Sequence, residues 1–236
     1  MLKNDLSLRN PLRLIGHDNE DIIDPGGFGA VLARAGVGKT AFMVQLALNS
    51  LIRNNNVLHI SLNEPVDKVS LWYKEVFHLL SKQYDPRQVK QLWETILPFR
   101  LIMTFKIDGF SASKLEERLT DLIVQNIFMP QMVIIDGLPF EQSSKQTLTD
   151  LQKLAVKHKM HVWFTITTHR HQAPDKKGLP AQLSNIVNLF EVAIQLLPQA
   201  GEIHIKTLKG GPSTKNQNQP LLLDPATMLI KNPQLK

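Results

Sequence analysis

The chain has 236 residues, 43% of them hydrophobic and 20% charged, a composition that builds a packed core and excludes a disordered chain. Its 27 basic residues outnumber 21 acidic ones, and the net charge of +6 permits contact with nucleic acid or another polyanion without requiring it. There is no cysteine, so disulfides, cysteine-held zinc and thiol catalysis are excluded, and no apolar run approaches the roughly 20 residues of a membrane helix.

Residues 1–24 mix charges throughout and lack the apolar stretch of a secretory signal, so we expect a cytoplasmic protein with no membrane partner, these residues forming an extension ahead of one domain, 25–236. Pro25, Gly26 and Gly27 make a turn, and Phe28 to Leu32 read as a short buried strand. After the glycine-bearing stretch that follows, Phe42, Val44, Leu46, Ala47 and Leu51 fall at helical spacing, with no breaker until Asn54 to Asn56. Val57 to Leu62 is a second strand, closed by Asn63, Glu64 and Pro65. From Val66 to about Leu97 the pattern is helical, and Asp85-Pro86 divides it into two helices.

Phe99 to Phe105 reads as another strand, and Ser111 to Ile127 as a helix whose N-cap is Ser111 or Ser113. Ser113 with Glu116 has the spacing of a capping box. The apolar run from Gln131 ends in Asp136, a helix follows over 147–159, and His161 to Thr168 is again a strand. The segments 187–197, 201–208 and 220–231 are strand-like, with turn signals at Gly201, Gly210-Gly211 and Asp224-Pro225; Gly210 to Pro220 is a short polar loop. Strands alternating with helices predict an α/β fold with a mostly parallel central sheet, helices on both faces and a C-terminal β-hairpin.

The stretch "ARAGVGKTAF", Ala33 to Phe42, ends as a phosphate-binding loop ends, and strand, glycine-bearing loop and helix come in the order such a loop needs. A triphosphate is held by backbone N–H groups converging from one side, helped by the positive end of the helix. Ala35, Gly36, Val37, Gly38 and Ala41 would supply backbone, with the two glycines letting it approach the phosphates. Lys39 would reach the β and γ phosphates, and the Thr40 hydroxyl would take a place on Mg²⁺. The pattern usually begins with glycine where this chain has Ala33, a change that leaves the phosphate-holding groups in place. Mg²⁺ on a nucleotide also uses a carboxylate at the tip of a neighbouring strand, and Asp136 is placed for it.

With these motifs in hand, the chain resembles the RecA-like P-loop NTPases, in particular the KaiC and DnaB-helicase branch. The resemblance spans about Asp24 to Lys231 and rests on the ordered set "ARAGVGKT", "VLHISLNEP", "VIIDG", "WFTITTHRH" and "IHIKTLKGG". It implies a RecA-like fold in which a strand carrying a γ-phosphate sensor lies between the P-loop strand and the strand of Asp136. It also implies Mg-ATP as the ligand and a homo-oligomer, ring or filament, with nucleotide at the subunit interface. Glu64 falls where the family's acidic residue polarises the attacking water; the plainer alternative is a surface glutamate, and Asn63 stands where relatives often carry a second acid. Thr168 and His169 fall at the sensor position, with an ordinary loop histidine as the alternative. Lys209 aligns with the finger that enters a neighbour's site, while Lys206 is one residue out of step, on the opposite face of a regular strand.

The leading expectation is an ATPase that hydrolyses Mg-ATP slowly to drive a conformational or assembly change, read by a regulatory protein partner. A second is a DNA-bound module of recombination or replication, single- or double-stranded, using Arg170, Lys176 and Lys177 in the segment after the sensor. A small-molecule phosphotransferase lacks its arginine-rich lid here, and a binding-only subunit that holds ATP without turnover is the fourth reading.

Overall fold

Apolar runs too uniform for a half-exposed strand become the centre of a sheet. The computed structural model describes residues 2–14, 22–141, 145–170, 172–176, 178–210 and 221–231. His171, Lys177, Lys215 and the rest of the polar loop from residue 211 to 220 lie outside the described residues. In chain order the elements are α1 (Leu2–Leu8), α2 (Pro11–Leu14), β1 (Phe28–Ala33), α3 (Lys39–Ile52), β2 (Val57–Ser61), α4 (Val66–Ser81), α5 (Pro86–Ile96) and β3 (Arg100–Thr104). There follow α6 (Ala112–Val124), β4 (Met132–Asp136), α7 (Lys145–Lys157), β5 (His161–Thr167), α8 (Ala181–Ser184), β6 (Phe190–Gln199), β7 (Glu202–Lys209), β8 (Leu221–Leu223) and β9 (Ile230–Lys231).

Among the described residues nine strands join one sheet in the order β3-β2-β4-β5-β1-β6-β7-β8-β9. From β3 to β6 the pairings are parallel, and from β6 to β9 they are antiparallel. The fold is therefore α/β with a mostly parallel mixed sheet. β5 lies between β1, which leads into the glycine loop, and β4, which ends in Asp136. That order brings three strand tips to one place although they are far apart in sequence.

Two cores form, one on each face of the sheet. On one face α3 to α5 pack with α1 and α2, so Leu2, Leu6 and Leu12 of the first 24 residues share a core with Phe42, Tyr73 and Phe77. On the other, α6, α7 and α8 cover Phe28, Leu58, Ile135 and Phe164. Helix starts follow local chemistry: the Asp85 carboxylate accepts from Arg87 N–H and Gln88 N–H, with Pro86 in the first turn. At α6 the cap is Ser111, whose hydroxyl accepts from Lys114 N–H at 3.2 Å. The capping box expected of Ser113 and Glu116 does not form, because Ser113 is already inside the helix and Glu116 pairs instead with Lys157 of α7.

The register of β6 against β7 shifts between Ala193 and Ile194, which leaves Leu208 unopposed. Lys206 and Lys209 therefore face Gln195 and Ala193, two residues apart on β6, and share a face of the sheet. The expectation that they lie on opposite faces holds only for a strand without a bulge.

Phe164 is the centre of an aromatic cluster, 4.9 Å from Phe28, 5.6 Å from Phe140 and 5.9 Å from Phe190 between ring centroids. Phe164→Ala is expected to cost about 3–5 kcal/mol, read as a lower urea midpoint at unchanged slope; an unmoved midpoint would mean the cluster is not part of the core.

Candidate functional site

β1 ends at Ala33, and the chain turns through Arg34 to Gly38 before α3 begins. Gly36 and Gly38 hold φ of +76° and +101°, left-handed values that a side chain would strain. Val37 is buried in the core and pins the loop, whereas Ala35 and Gly36 are exposed. No side chain caps α3 at Gly38, so its first N–H groups point out of the helix end free of a capping side chain. The Lys39 ammonium folds back over the loop and donates to the carbonyls of Ala33 and Arg34, each at 3.1 Å. Burial holds this lysine below its ordinary value, while the nearby Asp136 carboxylate pulls the other way.

The decisive contact links this loop to β4. Thr40 Oγ1 donates to Asp136 Oδ2 at 2.9 Å across 96 residues of sequence. The other carboxylate oxygen, Oδ1, accepts from the Thr165 hydroxyl at 2.6 Å, and Thr165 in turn accepts from Gly137 N–H at 3.0 Å. Oxygen donors on a loop and on the neighbouring strand tip are the hard ligands that Mg²⁺ takes together with phosphate. Among the described residues no group of three histidines or carboxylates could hold an ion unaided. A divalent cation here would depend on oxygens brought by its partner, as Mg²⁺ does on a nucleotide.

Beyond Asp136 the tips of β2, β4 and β5 surround a cleft of about 260 Å³, lined by Asn63, Gly137, Pro139, Thr167 and His169 among others. Gly137, at φ +94°, packs against the Asn63 side chain so closely that a Cβ would overlap it. Glu64 follows Asn63 on the turn after β2 and is not among the residues that line this cleft; its N–H donates to Ser61 Oγ at 3.0 Å. Its carboxylate accepts from Lys68 at 2.8 Å and is partly exposed. His169 contacts Glu141 at 3.3 Å, and Glu141 also accepts from Gln172 at 2.9 Å and Gln182 at 3.3 Å. Thr168 N–H donates to the Ala33 carbonyl at 3.0 Å, tying the end of β5 to the glycine loop.

The structure thus gathers Lys39, Thr40, Ala41 and Asp136 at one spot, with Ala35 to Gly38 around it and Glu64 and His169 at the adjoining tips. Lys209 is not part of that group; it sits on β7 with its ammonium on the Val187 carbonyl at 3.0 Å. Sequence reasoning missed four participants. Thr165 and His59 are polar residues inside runs that burial makes apolar, and that mismatch was their signal. His59 is fully buried, with Nδ1 3.0 Å from the Tyr73 hydroxyl and Nε2 3.9 Å from Asp136 Oδ2. Burial pulls His59 down to about 4 despite the attraction of Asp136, so the ring is neutral, and burial likewise pushes the Tyr73 hydroxyl up. Gln45, between Val44 and Leu46 in the buried run of α3, carried the same signal, and Met228 had none. Met228, at φ +58°, lays its sulfur against Gly38, and Gln45 of α3 donates to the Met228 carbonyl at 2.8 Å. The turn from Leu223 to Leu229 thereby walls the loop on its Gly38 side.

No family model matches the chain, and no curated protein matches it.

The two loop glycines differ in what a methyl group would meet: open space at Gly36, the Met228 sulfur at Gly38. Gly36→Ala and Gly38→Ala should each lose about 1–2 kcal/mol from the positive φ alone. In urea unfolding, Met228→Ala should soften the loss at Gly38 and leave that at Gly36 unchanged; equal behaviour would place Met228 away from the loop.

Proposed function

We propose that this chain is a RecA-like ATPase of the KaiC and DnaB-helicase type, which binds Mg-ATP and hydrolyses it slowly to change conformation or assembly. The observation that carries the reading is the Thr40–Asp136 hydrogen bond, which joins the glycine loop to the tip of a neighbouring strand. The position of β5 between β1 and β4 supports it, since the resemblance implies that order.

Thr40 and Asp136 would hold Mg²⁺, and the ion would neutralise charge on the β and γ phosphate oxygens. The backbone N–H groups from Ala35 to Ala41 cradle the phosphate chain. Lys39 leaves the two carbonyls it occupies for the β and γ oxygens, exchanging neutral acceptors for charged ones. Glu64, released from Lys68, orients the attacking water and accepts its proton. His169 lines the cleft beyond Asp136 and reports the γ phosphate to Glu141 and the segment after β5. Lys209 would serve a neighbouring subunit in a ring or filament, giving that site a point charge rather than the forked contact of arginine. Assembly state would then be the output that a regulatory partner reads. The cytoplasm is its proposed location; among the described residues no helix is long and apolar enough to cross a membrane.

One observation favours DNA as a second ligand. Arg34, Arg170 and Lys206 line a pocket of about 460 Å³ beside the loop, which brings together three basic residues far apart in sequence. Single-stranded DNA bound there would lose affinity with salt, and Arg170→Ala with Lys206→Ala would flatten that dependence by about 0.7 log units per contact removed. No binding of an oligonucleotide at low salt removes this reading.

The test of the main proposal is phosphate release from Mg-ATP, with particle mass measured with and without nucleotide. Wild type should turn over, and Lys39→Ala and Glu64→Gln should each fall by about 100-fold or more, with Glu64→Gln still binding ATP. ATP binding that alters particle mass without any phosphate release would make the chain a nucleotide-held subunit and remove the role of Glu64.

A further inference from the structure

β2 is buried over its whole length, and leaving a buried donor unmet is destabilising. His59 nevertheless occupies its centre with no exposure and with Nε2 unpartnered. The ring is fixed rather than loose: its Nδ1 lies 3.0 Å from the Tyr73 hydroxyl, and the two rings meet edge to face at 5.6 Å. Tyr73 is itself fully buried, with the Arg100 guanidinium 4.7 Å over its ring. Nε2 stands 3.9 Å from Asp136 Oδ2, on the carboxylate that Thr40 and Thr165 already engage.

The tautomer follows from the surroundings. A lone pair on Nε2 would face the carboxylate lone pairs and be repelled, so the proton belongs on Nε2, with the Tyr73 hydroxyl donating to Nδ1. Such a neutral donor can steady a carboxylate without competing for it as a lysine or arginine would. The separation is about 1 Å longer than a charge-assisted hydrogen bond, so Nε2 faces Oδ2 without bonding it while Thr40 holds that oxygen. The Thr40 hydroxyl cannot take over this duty, since its oxygen is the one a cation would also use.

We propose that His59 is a positioning residue for Asp136, its Nε2–H closing onto Oδ2 when a divalent cation engages that carboxylate. The inference rests on the Mg-ATP reading above. Outer partners of metal-holding groups commonly shift metal affinity by about 10-fold or more, whereas the phosphate cradle formed by loop backbone and Lys39 does not touch His59. The effect therefore belongs to the metal-dependent part of nucleotide affinity alone.

The experiment measures the dissociation constant of a fluorescent ATP analogue with the full chain, once in excess Mg²⁺ and once in EDTA, and takes the ratio. Glutamine can present its amide nitrogen where His59 has Nε2, while asparagine presents it only where Nδ1 lies. His59→Asn and His59→Phe should cut the magnesium enhancement by about 10-fold with the EDTA constant unchanged, and His59→Gln should restore most of it. Tyr73→Phe keeps the His59 ring in place but frees its tautomer, and should reduce the enhancement by about 3-fold; it carries the test if a His59 variant does not fold. An unchanged ratio in His59→Asn, His59→Phe and Tyr73→Phe, beside a collapsed ratio in Asp136→Asn, overturns the inference and leaves the Mg-ATP reading standing. Equal weakening with and without metal also overturns it, since that is a structural role. A wild type that binds no nucleotide in a magnesium-dependent way overturns both.

Discussion

The candidate site depends on one hydrogen bond, from the Thr40 hydroxyl to Asp136. A helix end and a strand tip that share a bond must keep their relative position, and everything that meets there inherits it. The parallel pairing of β4 with β5 and of β5 with β1 brings the C-terminal ends of all three strands to the same edge of the sheet. The shared core around α3 then fixes the helix against the sheet, with Ala41 to Val44 wholly buried behind the loop. Thr165 completes the arrangement by occupying the second carboxylate oxygen and, through Gly137, holding the turn beyond it. The carboxylate is thus oriented by short side chains that have few other conformations to adopt.

Those side chains reverse the usual economy of a sheet interior. Central strands of a parallel sheet are apolar because both faces are covered, and β1 follows that rule without exception. β2 and β5 do not: His59, Ser61 and Thr165 are polar and buried. Ser61 Oγ accepts the Glu64 N–H, Thr165 holds Asp136, and His59 faces the same carboxylate. Polar groups buried toward this end of three adjacent strands are costly unless satisfied; Thr165 and Ser61 bond Asp136 and the turn after β2, His59 Nδ1 meets Tyr73 of α4, and His59 Nε2 alone is left without a partner. The same concentration of polar groups makes this end of the sheet the place where a charged ligand would find preorganised donors.

Much of the fold was legible because local chemistry decided it. The apolar runs became β1, β2, β4 and β5, Asp85-Pro86 separated α4 from α5, and a serine capped α6. The choice between Ser111 and Ser113 was not legible, because the competing partner of Glu116 is Lys157, on another helix. The bulge at Leu208 was hidden for the same reason, and with it the common face of Lys206 and Lys209. At the site, Lys39, Thr40 and Asp136 announced themselves by motif, and the structure brings them together. Thr165 and His59 were written in the sequence as polar letters in apolar words, but their purpose appears only when Asp136 is set beside them. Met228 gave no sign at all, since a methionine after a turn has no reason to meet a glycine 190 positions earlier except through the fold that joins β8 to the loop.

The account is tested most directly by the anomalous scattering of Mn²⁺ in crystals of the chain grown with Mn²⁺ and a non-hydrolysable ATP analogue. It predicts one strong manganese peak between Thr40 Oγ1 and the Asp136 carboxylate, with the phosphates lying on the loop and within reach of Lys39. A nucleotide bound elsewhere, or a peak away from Asp136 with the Thr40–Asp136 hydrogen bond intact, would contradict it.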